Sequence, residues 1–258
     1  MRLKNIYDFA DALAPFSLSG EYCARYGAYD NSGVLLDCGA DITGVLFALD
    51  LTKGAVARAQ EEGMNCIFTH HPAIYGKLAS LSPEGEGKEI LSCAQAGISV
   101  VSAHLNLDCA QGGIDECLME GLGGKRASAV MHPLSSGGYG RVYEVEEQPL
   151  ATFTEKLKKT FSARQVLVYG AGKVKRVASF CGAGMDEESV AFALKEGADT
   201  FVSSDPKHHL IKELCERQCN VVVLTHYAAE FYGFARFYKK MKNMPDVGCR
   251  LYADERYL

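Results

Sequence analysis

One stretch of this chain repeats another. Gly54–Gly63 (Gly-Ala-Val-Ala-Arg-Ala-Gln-Glu-Glu-Gly) aligns without a gap on Glu188–Gly197 (Glu-Ser-Val-Ala-Phe-Ala-Leu-Lys-Glu-Gly). Both segments have the spacing of an amphipathic helix closed by a glycine. A short apolar strand follows each one, Met64–Thr69 in the first copy and Ala198–Ser203 in the second. A loop, a second helix (about 88–97 and 207–218) and a second strand come next, Ile98–His104 matching Asn220–His226 across a shorter loop in the second copy. The simplest account is a duplicated βαβαβ unit.

The duplication sets the fold class. Helices alternate with almost continuously apolar strands, which predicts an α/β protein of two similar subdomains, each a mixed, largely parallel sheet covered by helices. Between the copies, Gly121–Arg126 and His132–Gly140 are rich in turn formers, so the halves are expected at 1–126 and 127–258, with the C-terminal segment able to pack back on the first. Arg141–Val145, Gln165–Tyr169 and Val174–Phe180 read as further strands, and Thr152–Thr160 as a capped helix. In such folds ligands gather at the carboxyl ends of the strands.

The chemistry-bearing residues fall at those ends. His104-Leu-Asn-Leu-Asp108 and His226-Tyr-Ala-Ala-Glu230 are repeat-equivalent, each a histidine four residues before a carboxylate, and Thr69-His70-His71-Pro72 ends another strand. Taken singly, each has an ordinary structural reading, a polar turn or an i,i+4 pair at a helix start. Together they shift the balance towards a cation, because burying so many ionisable groups without one costs several kcal/mol. His70, His71, Asp108, His226 and Glu230 supply three ligands to each of two ions if Glu230 bridges, which leaves each ion an open position, as in catalytic rather than closed structural sites. Such a site is locally positive and suits a phosphate or other anion. Imidazole with carboxylate accepts Zn, Mn or Fe alike.

Other features narrow the class. With 27 basic against 32 acidic residues and a net charge of −5, the chain has no broad attraction for nucleic acid. The N-terminal residues alternate charged with apolar groups, unlike a signal peptide, and no run reaches the roughly 18 apolar residues of a membrane span, so a cytoplasmic location is expected. Ten cysteines are scattered through apolar runs and read as reduced core residues, with Cys109 alone close enough to a ligand cluster to be weighed as a thiolate. His208–His209 reads as surface or substrate rim and His132 as structural. Gly182 and Gly184 stand between a strand and a helix, where either a phosphate cradle or a plain tight turn is possible.

The motifs Tyr29–Val34, Ala48–Thr52, Thr69–Pro72, Ser102–Asp108, Gly138–Arg141, Cys181–Gly184 and Thr225–Glu230 resemble, in order and over nearly the whole chain, the signature blocks of the NIF-three-like dinuclear metal proteins. Many of that family carry the name type-two GTP cyclohydrolase-like protein. The resemblance implies the same five ligands, a His104 that faces the metals without ligating and serves as an acid, a base or a support, and a toroidal homohexamer. It departs at Gly33–Asp37, at Thr225 and at Ser203-Ser204-Asp205, segments expected to line the pocket, and the chain lacks the domain that some members insert between the halves. Two functions are compatible with all this: a metal-dependent hydrolase of a nucleotide or phosphoester-like substrate, in which Asp205 or Glu187 would be the available reader of a guanine, and a metal-binding, metallation or regulatory protein without turnover.

Overall fold

The computed structural model describes all 258 residues. They form two compact units, Met1–Ala110 with Phe234–Ala253, and Gln111–Gly233 with Asp254–Leu258. In chain order the first unit contains α1 (Leu3–Leu13), α2 (Ser17–Tyr26), β1 (Gly33–Leu36), β2 (Gly44–Ala48), α3 (Lys53–Glu61), β3 (Cys66–Thr69), α4 (Lys88–Gln95), β4 (Ser99–Ser102) and the single turn α5 (Leu105–Cys109). The second contains α6 (Ile114–Gly121), β5 (Ala127–Pro133), β6 (Gly138–Pro149), α7 (Leu150–Phe161), β7 (Val166–Tyr169), β8 (Lys173–Ser179), α8 (Glu187–Lys195), β9 (Thr200–Ser203), α9 (His208–Glu216) and β10 (Asn220–Leu224). Helix α10 (His226–Met241) starts in the second unit and ends in the first, and β11 (Gly248–Tyr252) belongs to the first.

The duplication is explicit in the strand orders. The first sheet runs β1-β4-β3-β2-β11 and the second β5-β6-β8-β9-β10-β7. In each, three consecutive strands pair in parallel, β2-β3-β4 and β8-β9-β10, and an antiparallel strand closes one edge, β1 against β4 and β7 against β10. This is the mixed α/β architecture that the sequence predicts. The boundary differs from the expected 126/127, because the turn-rich 121–140 segment connects elements inside the second unit and the C-terminal strand β11 extends the first sheet beside β2.

Alternation explains why these strands are apolar throughout. Successive residues of a strand face opposite sides, so Leu46, Ala48, Ile67 and Val100 pack with Ala55, Val56 and Ile90 of α3 and α4. Phe47 and Phe68 point the other way, where Phe47 meets Phe234 at 6.4 Å and Phe68 meets Phe237 at 5.6 Å between ring centres. The second unit buries Ala178, Phe201 and Val221 against Val190, Ala193, Leu210 and Leu214 of α8 and α9. Both crossover helices of each unit thus lie on the sheet whose strands they connect. The strand ends beyond them are left to the loops.

Candidate metal centre

In the first unit the parallel register sets Ala48, Thr69 and Ser102 side by side. Two residues further along, Asp50, His71 and His104 therefore leave three neighbouring strand ends. The amides of His70 and His71 both donate to the Leu49 carbonyl, at 3.1 and 3.0 Å, and fix the turn. His70, His71 and His104 each bring a ring nitrogen within 4.8 Å of the others, a group able to hold a metal ion.

Each of these imidazoles is oriented from behind. His70, fully buried, has Nδ1 2.8 Å from the Ala103 carbonyl oxygen. A carbonyl oxygen accepts and cannot donate, so Nδ1 carries the hydrogen and the lone pair sits on Nε2. His71 Nδ1 lies 2.6 Å from Asp50 Oδ1, and His104 Nδ1 2.8 Å from Asp30 Oδ1. Asp30 is itself held by the hydroxyls of Ser19 and Ser32, and Ser32 accepts the His104 amide. Burial alone would raise the Asp30 pKa, but the hydrogen bonds from His104, Ser19 and Ser32 outweigh it and bring the carboxyl down to about 2. For His104 burial favours the neutral ring, yet the bond to Asp30 and the charges of Asp108 and Asp30 prevail and its pKa is raised. Asp108, on α5, is buried with Oδ1 3.5 Å from His70 Nε2.

The second unit repeats the device with different residues. His226 opens α10, its Nδ1 2.7 Å from Asp205 Oδ2 and its Nε2 3.1 Å from Oε1 of buried Glu230, one helical turn on. Asp205 has φ +50°, a left-handed conformation unusual for a residue other than glycine, and it sits where its carboxylate meets the ring. A Cβ at Gly182, whose φ is +57°, would stand 2.5 Å from Glu230 Oε1 and 3.2 Å from His226 Nε2, so only glycine lets the backbone come this close. That loop is anchored from beneath. Asp115, fully buried, accepts the amides of Cys181 at 3.2 Å and Gly140 at 3.0 Å and is paired with Arg141.

A donor set of this kind fits a divalent cation. With Nδ1 hydrogen-bonded to a carboxylate or carbonyl, a neutral imidazole presents its Nε2 lone pair, and both His70 and His226 present it towards a carboxylate oxygen. Lone pair against lone pair at 3.1–3.5 Å is repulsive unless a proton or a cation lies between. Histidines backed by carboxylates or carbonyls are the usual support of metal ligands. Of the expected ligands, His70, His71 and Asp108 belong to the first unit with His104, and His226 and Glu230 to the second.

Other sequence expectations resolve differently. Gly184 makes room for the Tyr139 hydroxyl, and the N-terminus of α8 is capped by Asp186, which accepts the Ser189 amide at 2.8 Å, so packing and a protein cap account for both features. Asp205 is hydrogen-bonded to His226, and exposed Glu187 pairs with Lys207 and His209. His209 is exposed at the start of α9, and His132 is partly buried on β5 with its ring stacked on Tyr139 at 6.4 Å. Cys109 is buried in α5. Asp30 and Asp50 carry no role in the sequence reading, although an acid two residues past a strand end, in register with the histidines beside it, is the signal that finds Asp50.

The comparisons with known proteins agree with the fold. The family model described as Duf34/NIF3 (NGG1p interacting factor 3) matches residues 1–253. A protein of Clostridium perfringens named GTP cyclohydrolase 1 type 2 homolog is 28% identical over 253 residues, covering 95% of this chain and 93% of its own. NGG1-interacting factor 3 of Saccharomyces cerevisiae is 29% identical over 240 residues, with 81% and 82% covered. The crystal structure of the Staphylococcus aureus hypothetical protein SA1388 superposes with a TM-score of 0.83 at 25% identity, over 100% of this chain and 99% of that one.

Proposed function

This chain belongs to the Duf34/NIF3 family, and from that premise we propose that it is a dinuclear metal-binding protein and a metal-dependent hydrolase acting on a nucleotide or phosphoester-like substrate. The observation that carries the reading is the common orientation of four imidazoles, each held at Nδ1 by Ala103, Asp50, Asp30 or Asp205. In this proposal His70, His71, Asp108, His226 and Glu230 would be the ligands of the metal, zinc, manganese or iron. Two such cations would supply an acidified water and a polarised electrophile. The chain's own residues do the rest. Asp30 keeps His104 turned so that Nε2 holds or releases a proton, and the raised affinity of that ring for a proton suits an acid near neutral pH. Asp50 and Asp205 keep the ligating rings from rotating out of place.

Assembly as a toroidal homohexamer and a cytoplasmic location belong to the same proposal. No helix is long and apolar enough to cross a membrane. The name of the yeast relative, taken from an interaction, favours a second reading in which the metal-loaded protein acts as a partner without turnover.

One set of measurements separates them. The protein purified with its native metal, or reconstituted, is expected to hold close to two ions per chain, and Glu230→Gln fewer. Challenged with GTP, other nucleotides and phosphodiesters, wild type is expected to exceed His104→Ala by about 10²–10⁴-fold, the range of a lost acid–base group. Turnover no greater than that of the variants leaves the partner reading. Fewer than about one ion per chain in wild type, with no loss in Glu230→Gln, refutes the ligand assignment.

A further inference from the structure

Few large apolar side chains of this protein are exposed, and two of them, Tyr29 and Tyr75, touch each other. Their rings meet edge to face with centres 5.5 Å apart. Scattered exposed aromatics need no explanation, but these two are held in place. The Tyr75 hydroxyl donates to the Tyr29 carbonyl at 3.3 Å, and Asn31 Nδ2 donates to the Ile74 carbonyl at 2.6 Å, stapling the loop before β1 to the loop after β3. Tyr75 in turn stands edge to face with His104 at 6.3 Å, and His104 lies 5.2 Å from His70 and 5.9 Å from His71. A file of rings therefore leads from solvent, through Tyr29 and Tyr75, to the imidazoles, all within the first unit.

We propose that Tyr29 and Tyr75 are the aromatic wall of the substrate site, and that the substrate lays a flat conjugated ring, such as a nucleobase, on the face of one and against the edge of the other. This rests on the metal-dependent reading above, which sets the choice of ligand. Fixed, half-exposed tyrosines suit either a flat ring or an organic cation, and the nucleotide-like substrate of that reading supplies the flat ring. A flat ring gains from stacking at little entropic cost, since the tyrosines are already ordered by their loops. Stacking tolerates any base. The wall accordingly selects for a ring as such, and places it beside His104.

The test compares guanosine 5′-monophosphate with ribose 5-phosphate, which shares the sugar phosphate and lacks the ring. Calorimetric titration of zinc-reconstituted protein is expected to show about tenfold or greater preference for the nucleotide, the range of one base stacked on an aromatic side chain. Tyr29→Ala and Tyr75→Ala each reduce that preference several-fold, Tyr75→Phe retains it, and zinc content, melting temperature and sedimentation are unchanged in all three. The inference is overturned by equal binding of the two ligands, by failure to bind either, by a preference that survives both alanine substitutions, or by variants whose main change is in oligomeric state. Zinc per chain is read separately, so a failure of the metal assignment shows in wild type whatever the stacking result.

Discussion

Asp30 illustrates how one buried carboxylate can set the behaviour of a partly buried ring. Its pKa, depressed from the ordinary 3.8 to about 2, means that its ionised form is stabilised in the folded chain by His104 and two hydroxyls. For a depressed acid the added stability is complete above its unfolded value and is lost as pH falls through its folded one. His104 has the opposite sign: its raised pKa adds stability below its ordinary 6.5 that is lost as pH rises through the folded value. Asp30→Asn removes both contributions, at most on the order of 2 kcal/mol. In urea denaturation of the metal-free protein, the gap between wild type and Asp30→Asn is therefore expected to be widest between about pH 4 and 6 and to shrink on either side. A gap constant from pH 2 to 8 contradicts the assignment. At this scale the sequence exposes the candidate ligands better than the residues that hold them. His70, His71, Asp108, His226 and Glu230 stand out as histidines and acids at strand ends, whereas Asp50 looks like an ordinary loop acid until the register aligns it with His71.

Among the elements, the copied helix–strand pairs were the most legible. α3 with β3 and α8 with β9 occupy the segments that the alignment of 54–63 with 188–197 indicates, because each has a clear amphipathic period and a glycine stop. Less legible was the use made of the equivalent strand ends. Where β3 runs into His70 and His71, β9 runs into Ser204 and Asp205, so the second copy has an acid that supports a ring where the first has a histidine. Its glycine loop then needs a separate anchor, and Asp115 with Arg141 provides one in a fully buried position. Removing one member of such a pair strands the other's charge and costs about 3–5 kcal/mol. Arg141→Met is expected to lower the melting temperature by about 6–20 °C, at 2–4 °C per kcal/mol for a chain of this size class. Adding Asp115→Leu recovers only part of the loss, since the amides of Gly140 and Cys181 lose their acceptor as well. A melting temperature unchanged in Arg141→Met would show the pair to be dispensable.

For the molecule as a whole, the feature that local pattern conceals is which sheet the last strand joins. The apolar period of Gly248–Tyr252 says strand, but the choice of β2 as its partner depends on contacts nearly the whole chain apart in sequence. The first unit needs that return, because Phe234 and Phe237 of α10 cover Phe47 and Phe68 and β11 covers the edge of β2. Residues 1–126 expressed alone are expected to lack a cooperative unfolding transition by circular dichroism, and a cooperative melt of that fragment would overturn this account. The same dependence has a consequence during synthesis. As the chain leaves the ribosome, residues 111–233 emerge together and can begin to fold at once. Those made first must wait, their aromatic strands uncovered, until residues 234–253 have also been made.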